Sequence, residues 1–209
     1  MAYLLGLTGN IGCGKSTVGR LLAERYGADY VDADQVVHTL YAPGTAETAA
    51  IAARFGEHLR QPDGTIDRRR LGDLVMADAG ARRDLERLLQ PGIRRALEAR
   101  LARAQADVVV LDAIRLIESG LADRCDAVWV VMCDRATQLR RLVDSRGFTP
   151  EQAALRVDAQ TPQAEKIRRA TAIITNDGSL DDLAHQVQHA WEALPLPAGS
   201  AQRPQSSAP

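Results

Sequence analysis

The sequence predicts an α/β fold built on a parallel sheet with one helical insertion. Five short apolar runs, residues 3–7, 28–32, 107–111, 127–132 and 171–175, alternate with helical stretches, and four of the five are nearly continuous hydrophobes. Strands covered by helices on both faces read that way, whereas half-exposed strands alternate polar with apolar. Between the second and third runs lies a long stretch with helical spacing and no convincing strand, in which Leu85, Leu88, Leu89, Ile93, Leu97 and Leu101 recur at intervals of three and four. It is too long for a simple crossover and is read as an inserted lobe, residues 44–106, over the carboxyl edge of the sheet. A chain of 209 residues has room for one domain with such an insertion. No repeat of solenoid length is visible.

Composition excludes several classes. Apolar residues make up 45% and charged residues 25%, as in ordinary globular proteins, and 26 Lys+Arg against 27 Asp+Glu leave a net charge of −1. Without a basic excess, nonspecific nucleic-acid binding is a poor fit. Three cysteines, Cys13, Cys125 and Cys133, form no CxxC pair and leave one over in any disulfide scheme, which suggests a reducing compartment. Met1 runs directly into the first strand, with no signal-like or membrane-spanning segment, so a cytoplasmic protein without membrane association is expected. Residues 195–209 are rich in Pro, Ser, Ala and Gln and are expected to be a disordered tail. Of the basic residues, only Lys15 and Lys166 are lysines.

The strongest chemical signal follows the first strand. Gly9-Asn10-Ile11-Gly12-Cys13-Gly14-Lys15-Ser16-Thr17 matches G-x-x-x-x-G-K-[ST] and leads into the amphipathic run Val18, Leu21, Leu22. Glycines let successive N–H groups turn into one concavity, and the helix opening near Lys15 adds its positive end. Lys15 is expected to reach the β and γ phosphates of ATP or GTP, and the Ser16 hydroxyl to ligate Mg²⁺.

Carboxylates close two of the apolar runs. Asp32 and Asp34 lie where ligands gather in open α/β sheets, one suited to polarise an acceptor hydroxyl and the other to hold the hydrated metal; Asp34 is equally suited to cap the helix after it. Asp112 ends the third run, as does the strand-terminal acid that orients Mg²⁺ through water in nucleotide hydrolysis sites. Arg115 and Glu118 have the spacing of neighbours on one helical turn. A basic cluster, Arg135, Arg140, Arg141 and Arg146, follows the fourth run; Arg140 and Arg141 diverge by about 100° on a helix, so one of them is expected to face the site.

In order and spacing, residues 7–17, Val31-Asp32-Ala33-Asp34, Ile66-Asp67-Arg68-Arg69, Ala159-Gln160 and Asn176-Asp177-Gly178-Ser179-Leu180 resemble the dephospho-coenzyme A kinase family over residues 3 to about 192. The resemblance implies a three-layer P-loop NTP hydrolase fold with a parallel five-stranded sheet, a nucleotide-binding core of residues 1–43 and 107–194, and a lid at about 141–165. It also implies that the 44–106 lobe binds the CoA substrate. The implied reaction is ATP- and Mg²⁺-dependent phosphorylation of the 3′-hydroxyl of dephospho-CoA, the last step of coenzyme A synthesis, by a monomer or weak homo-oligomer. Residue by residue, the resemblance places Asp34 on the catalytic carboxylate, Arg141 on the lid arginine, and Asn176 and Gly178 on the adenine side of the ATP site. Nucleotide contacts are expected from Asn10, Ile11, Gly12, Cys13, Gly14, Lys15, Ser16 and Thr17, and metal contacts from Ser16, Asp34 and Asp112.

The chain departs from the family in three places. Asp112-Ala113-Ile114-Arg115-Leu116-Ile117-Glu118 replaces Asp-Ile-Pro-Leu-Leu-Phe-Glu, Gln90-Pro91 replaces a helix-starting His-Pro, and Cys13 replaces a more usual serine. Gln90 has no acid–base role, and Arg115 is a candidate phosphate or substrate ligand. A thiol at position 13, beside a helix N-terminus, is expected to have a lowered pKa. Other readings are a kinase of a different metabolite, such as a nucleoside, shikimate or gluconate, and a nucleotide-dependent switch. The Asn-Lys-x-Asp segment of a GTPase is absent.

Overall fold

A computed structural model of the chain describes residues 2–196. The elements run β1 (Tyr3–Thr8), α1 (Lys15–Tyr26), β2 (Asp29–Asp32), α2 (Ala33–Thr39), α3 (Ala46–Phe55), α4 (Arg68–Ala77), α5 (Ala79–Leu101), β3 (Val108–Asp112), β4 (Ala127–Met132), α6 (Arg135–Arg146), α7 (Pro150–Asp158), α8 (Gln163–Ile167), β5 (Ala172–Thr175) and α9 (Leu180–Glu192). The five strands form one sheet in the order β2-β3-β1-β4-β5. The pairs β1–β3, β1–β4 and β4–β5 are parallel, with Tyr3 opposite Val108, Leu5 opposite Ala127 and Trp129 opposite Ala172. All five expected strands are present, each within one residue of the apolar run that announced it.

The continuous apolar character of the strands has its reason in the burial pattern. Leu5, Leu7, Val108, Val110, Trp129 and Val131 pack against Val18 and Leu22 of α1 and Leu183, Val187 and Trp191 of α9. Tyr26 stacks on Trp191 with ring centroids 4.7 Å apart. Alternate residues Leu4, Val109, Leu111, Val128 and Val130 are buried as well, and Leu116 and Cys125 lie directly over Gly6. Both faces of the sheet are therefore covered. The central strand β1 lies between β3 and β4, so the loop leaving its carboxyl end stands where the crossovers diverge to either side, the usual ligand position of such sheets.

The chain forms two compact units, one of residues 2–31 with 104–196 and the other of residues 32–103. The second unit, residues 32–103, is built of α2 to α5. Its core joins Leu40, Ile51, Phe55, Leu59, Ile66, Leu71 and Leu89, with Leu85, Leu88 and Ile93 packed on them. The Leu/Ile spacing read in the sequence belongs to α5. Its helices start at side-chain caps: Asp32 for α2, Thr45 for α3, Asp67 for α4 and Asp78 for α5. Arg95 of α5 donates to Glu47 of α3 at 2.5 Å, which satisfies a carboxylate buried in the lobe.

Three expectations change. Gln90-Pro91, expected at a helix start, lies inside α5, which continues through it. Residues 113–120 are a run of turns rather than a helix, so Glu118 does not pair with Arg115 there; it accepts from Lys166 Nζ at 2.8 Å. Of the proline-rich tail, Leu196 packs on the sheet core, and the rest, residues 197–209, lies outside the described residues.

Candidate active site

The loop between β1 and α1 is a backbone cradle with little room for side chains. Gly14 has φ 90°, and a Cβ there would stand 2.1 Å from Asn176 Nδ2; at Gly9, with φ 151°, it would stand 2.1 Å from the Val131 carbonyl oxygen. No other residue type fits either position. The helix that the loop opens is unlike α6, α7 and α9. Gly14 offers no side-chain cap to α1 and the first turn holds no acidic residue, whereas α6, α7 and α9 begin at Asp134, Thr149 and Ser179. The positive end of α1 thus lacks the protein carboxylate or hydroxyl that would answer it, which suits an anion. Lys15 is the first residue of the helix, and Ser16 beside it is exposed.

Polar side chains hold this loop from outside. Asn176 Nδ2 donates to the Cys13 carbonyl at 2.8 Å, Arg141 Nη1 to the Gly12 carbonyl at 3.3 Å, and Gln138 Nε2 to the Ile11 carbonyl at 2.9 Å. Ile11 N–H donates to Gln160 Oε1 at 2.7 Å, and Asn10 Nδ2 to the Thr161 carbonyl at 3.1 Å. Arg141 Nη2 also donates to the Asn176 carbonyl at 2.9 Å. Of the arginine pair on α6, Arg141 is therefore the one at the loop and Arg140 is exposed. Arg135 instead bridges to Asp158 of α7, and Arg146 is exposed. Asn176 is buried and acts here as a clasp on the loop, while Gly178 sits in the exposed turn before α9.

The carboxylates separate by task. Asp32 is the cap of α2, accepting from the backbone N–H of Asp34 at 2.9 Å and of Gln35 at 3.2 Å. The expected capping role of Asp34 is thus taken by Asp32, because the helix begins at Ala33 rather than at Gln35. Asp34 stands in the first turn of α2 and lines a cavity of about 520 Å³ within the helical unit. Val37, Tyr41, Leu71, Val75 and Leu85 supply apolar walls, and His38 and Arg68 supply polar groups. Arg68 Nη2 donates to His38 Nε2 at 2.7 Å. Burial pushes the Tyr41 phenol up, against the nearby Arg68 charge, so it remains a neutral hydroxyl. Asp112, at the end of β3, is buried and accepts from Tyr30 Oη at 2.5 Å.

Several of these groups had no distinguishing sequence signal. Gln138 and Gln163 stand in ordinary helix sequence; Gln160 and Arg68 belong to the segments Ala159-Gln160 and Ile66-Asp67-Arg68-Arg69 without a role attached. Lys166, with its side chain 2% exposed, donates to the Ile114 carbonyl at 2.7 Å and to Glu118. Thr8 Oγ1 donates to the same carbonyl at 3.1 Å. A lysine rather than an arginine fits there, because a compact ammonium meets two oxygens at the end of a stem that can be packed in apolar surroundings. Glu118 is held below its usual carboxylate range: burial alone would raise it, and the hydrogen bond from Lys166 with further bonds outweighs that effect.

The thiol of Cys13 is lowered as expected, though the first cause is a hydrogen bond from Cys133, with a smaller contribution from the charge of Lys15. Among the described residues, no helix is long and apolar enough to cross a membrane.

The chain is similar in sequence and fold to known proteins. The family model described as dephospho-CoA kinase matches residues 3–182. A dephospho-CoA kinase from Geobacter sulfurreducens is 44% identical over 191 residues, 90% of this chain and 96% of that protein. Among solved structures, TT1252 from Thermus thermophilus superposes with a TM-score of 0.80 at 32% identity, covering 92% of this chain and 98% of the other. A dephospho-CoA kinase from Campylobacter jejuni gives 0.67 at 25% identity, covering 92% and 96%. With a family model spanning most of the sequence and close relatives aligned nearly end to end, the chain belongs to the dephospho-CoA kinase family.

Proposed function

We propose that the chain transfers the γ-phosphoryl group of Mg²⁺-ATP to the 3′-hydroxyl of dephospho-CoA, giving coenzyme A and ADP. The observation that carries this reading is the uncapped, acid-free start of α1 behind a glycine cradle, on the carboxyl end of the central strand of a dephospho-CoA kinase family member. The N–H groups of Gly12, Gly14, Lys15 and Ser16 hold the phosphate chain, those of Ile11, Cys13 and Thr17 being bonded to Gln160, Asn10 and Gly14, and Lys15 neutralises charge on the β and γ phosphates. Arg141, already on the Gly12 carbonyl, stabilises charge on the transferring group. Asn176 and Gly178 border the nucleotide's base.

The oxygen donors Ser16 and Asp112 suit a hard divalent cation that keeps most of its waters, with Ser16 exposed at the cradle. When bound, Mg²⁺ offsets the negative charge of the phosphates.

In the helical unit, Asp34 orients the acceptor hydroxyl and takes up its proton as the new P–O bond forms. The cavity that Asp34 lines accepts part of dephospho-CoA, with Arg68 available to its phosphates and the apolar wall to its uncharged parts. Asp32, occupied as a cap, has no part in the transfer. The α6–α8 region supplies Arg141 and acts as the lid.

A coupled ADP-release assay with a panel of acceptors tests the reading. Dephospho-CoA should give one ADP per acceptor consumed, only with Mg²⁺ present, while nucleosides, shikimate and gluconate give none. ADP release at the same rate without any acceptor would identify a nucleotide-dependent switch instead.

A further inference from the structure

Two of the three thiols share one place. Cys13 lies in the middle of the β1–α1 loop and Cys133 directly follows β4, yet their Sγ atoms are 3.4 Å apart and both residues are fully buried. At a sequence separation of 120, no local turn brings them together. They meet because β1 and β4 are parallel neighbours whose chains leave the sheet at the same edge.

The surroundings accommodate both forms of Cys13. As a thiol, it donates to Gln163 Oε1 at 3.7 Å; as a thiolate, it accepts from Gln138 Nε2 at 3.4 Å and from the Cys133 S–H. Cys133 also faces the Gly12 carbonyl at 3.9 Å. The hydrogen bond from Cys133 lowers the Cys13 thiol, while the same bond and burial raise Cys133, so the pair contains one nucleophile and one proton-bearing partner. Cys125 stands apart: its Sγ donates to the Leu121 carbonyl at 3.5 Å, and burial, then the charge of Asp126, pushes it up to about 12.

We infer that Cys13 and Cys133 form a reversible disulfide when the protein meets a small hydroperoxide, and that this bond disables the phosphate loop. The Cys13 sulfur attacks the terminal oxygen of the peroxide; an S–O bond forms, the O–O bond breaks, and the departing alkoxide or hydroxide takes the thiol's proton. Cys13 is then a sulfenic acid, oxidised by the two electrons that reduce the peroxide. The Cys133 sulfur attacks it, the S–S bond forms, the S–O bond breaks, and hydroxide leaves with the Cys133 proton as water. Two thiols and one hydroperoxide thus give a disulfide, one alcohol or water, and one further water. Because both sulfurs are buried, the oxidant has to be close to water in size, as hydrogen peroxide is.

Closing the pair from 3.4 Å to a bond of about 2.05 Å moves the side chain at the centre of the cradle. The Cys13 and Gly12 carbonyls are held by Asn176 and Arg141, so the loop cannot follow as a whole and its N–H groups are turned out of register. The loss of activity rests on assigning this loop to phosphate; formation of the bond does not.

The test uses the reduced full chain exposed to hydrogen peroxide, then alkylated and digested. A Cys13–Cys133 linked peptide should appear, with Cys125 alkylated, and turnover should fall by about a hundredfold and return on treatment with a dithiol. Cys133→Ala, with Cys133→Ser as a second variant, should match the untreated wild type in turnover and yield no linked peptide. Absence of the linked peptide from the wild type would overturn the inference, as would a linked protein that still binds a fluorescent ATP analogue and turns over normally. If the reduced protein fails to bind that analogue, the phosphate assignment is wrong, and the linked peptide alone decides the pairing.

Discussion

Lys15→Ala is expected to lower turnover with dephospho-CoA by about a thousandfold while leaving the fold intact. Phosphoryl transfer asks little covalent chemistry of the protein, so the barrier is reduced chiefly by placing positive charge where negative charge develops. Lys15 begins α1 directly behind the cradle. The choice of residue is informative: of 26 basic side chains only Lys15 and Lys166 are lysines, so arginine serves wherever a generic positive charge is needed. Lys166 is explained by its burial against Ile114 and Glu118. Lys15 is explained by a site that needs a narrow ammonium on a flexible stem, so Lys15→Arg should restore little activity, its planar guanidinium being too broad to pass between phosphates. Steady-state kinetics with ATP, beside a thermal melt to verify folding, measures both variants. Turnover within tenfold of wild type in Lys15→Ala would remove the residue from the phosphate site.

Asp34→Asn is expected to cut kcat by about a hundred- to ten-thousandfold, with the KM of dephospho-CoA changed much less. The amide keeps the size of the carboxylate at the cavity wall but cannot accept a proton. Asp32→Asn provides the contrast. Asn caps a helix as well as Asp does, so the bonds from the Asp34 and Gln35 N–H groups survive and turnover should remain within a few-fold of wild type. Two carboxylates two positions apart thus give opposite results in one assay. Equal losses in both variants, or full activity in Asp34→Asn, would contradict the division of labour proposed for them.

Much of this fold is legible in the sequence. The five strands could be read because strands buried on both faces must be apolar at every position, and Leu5, Val110 and Trp129 on one face with Val109 and Val130 on the other show why. The phosphate loop could be read because its glycines serve a backbone shape that no other residue adopts, as Gly9 and Gly14 demonstrate.

What escaped the sequence depends on contacts between distant segments. Nothing local distinguishes Gln138 from other amides; Gln160 and Asn176 stand in segments shared with the family, but only the fold brings all three onto the backbone of residues 11–13. The start of α2 is not legible in the sequence because an N-cap is defined by backbone geometry, and Asp32 and Asp34 are both good capping residues. Glu118 was assigned a neighbour at helical spacing, but residues 113–120 form turns and its partner arrives from α8. The Cys13–Cys133 contact likewise follows from strand order rather than from spacing in the chain.

The most direct test of the proposed reaction is the position of the new phosphate. Phosphorus NMR of the product made from dephospho-CoA and Mg²⁺-ATP should show one added monoester coupled to the ribose 3′-proton, in amount equal to the ADP formed. Phosphate on any other atom of dephospho-CoA, or ADP accompanied by inorganic phosphate and unchanged dephospho-CoA, would contradict it.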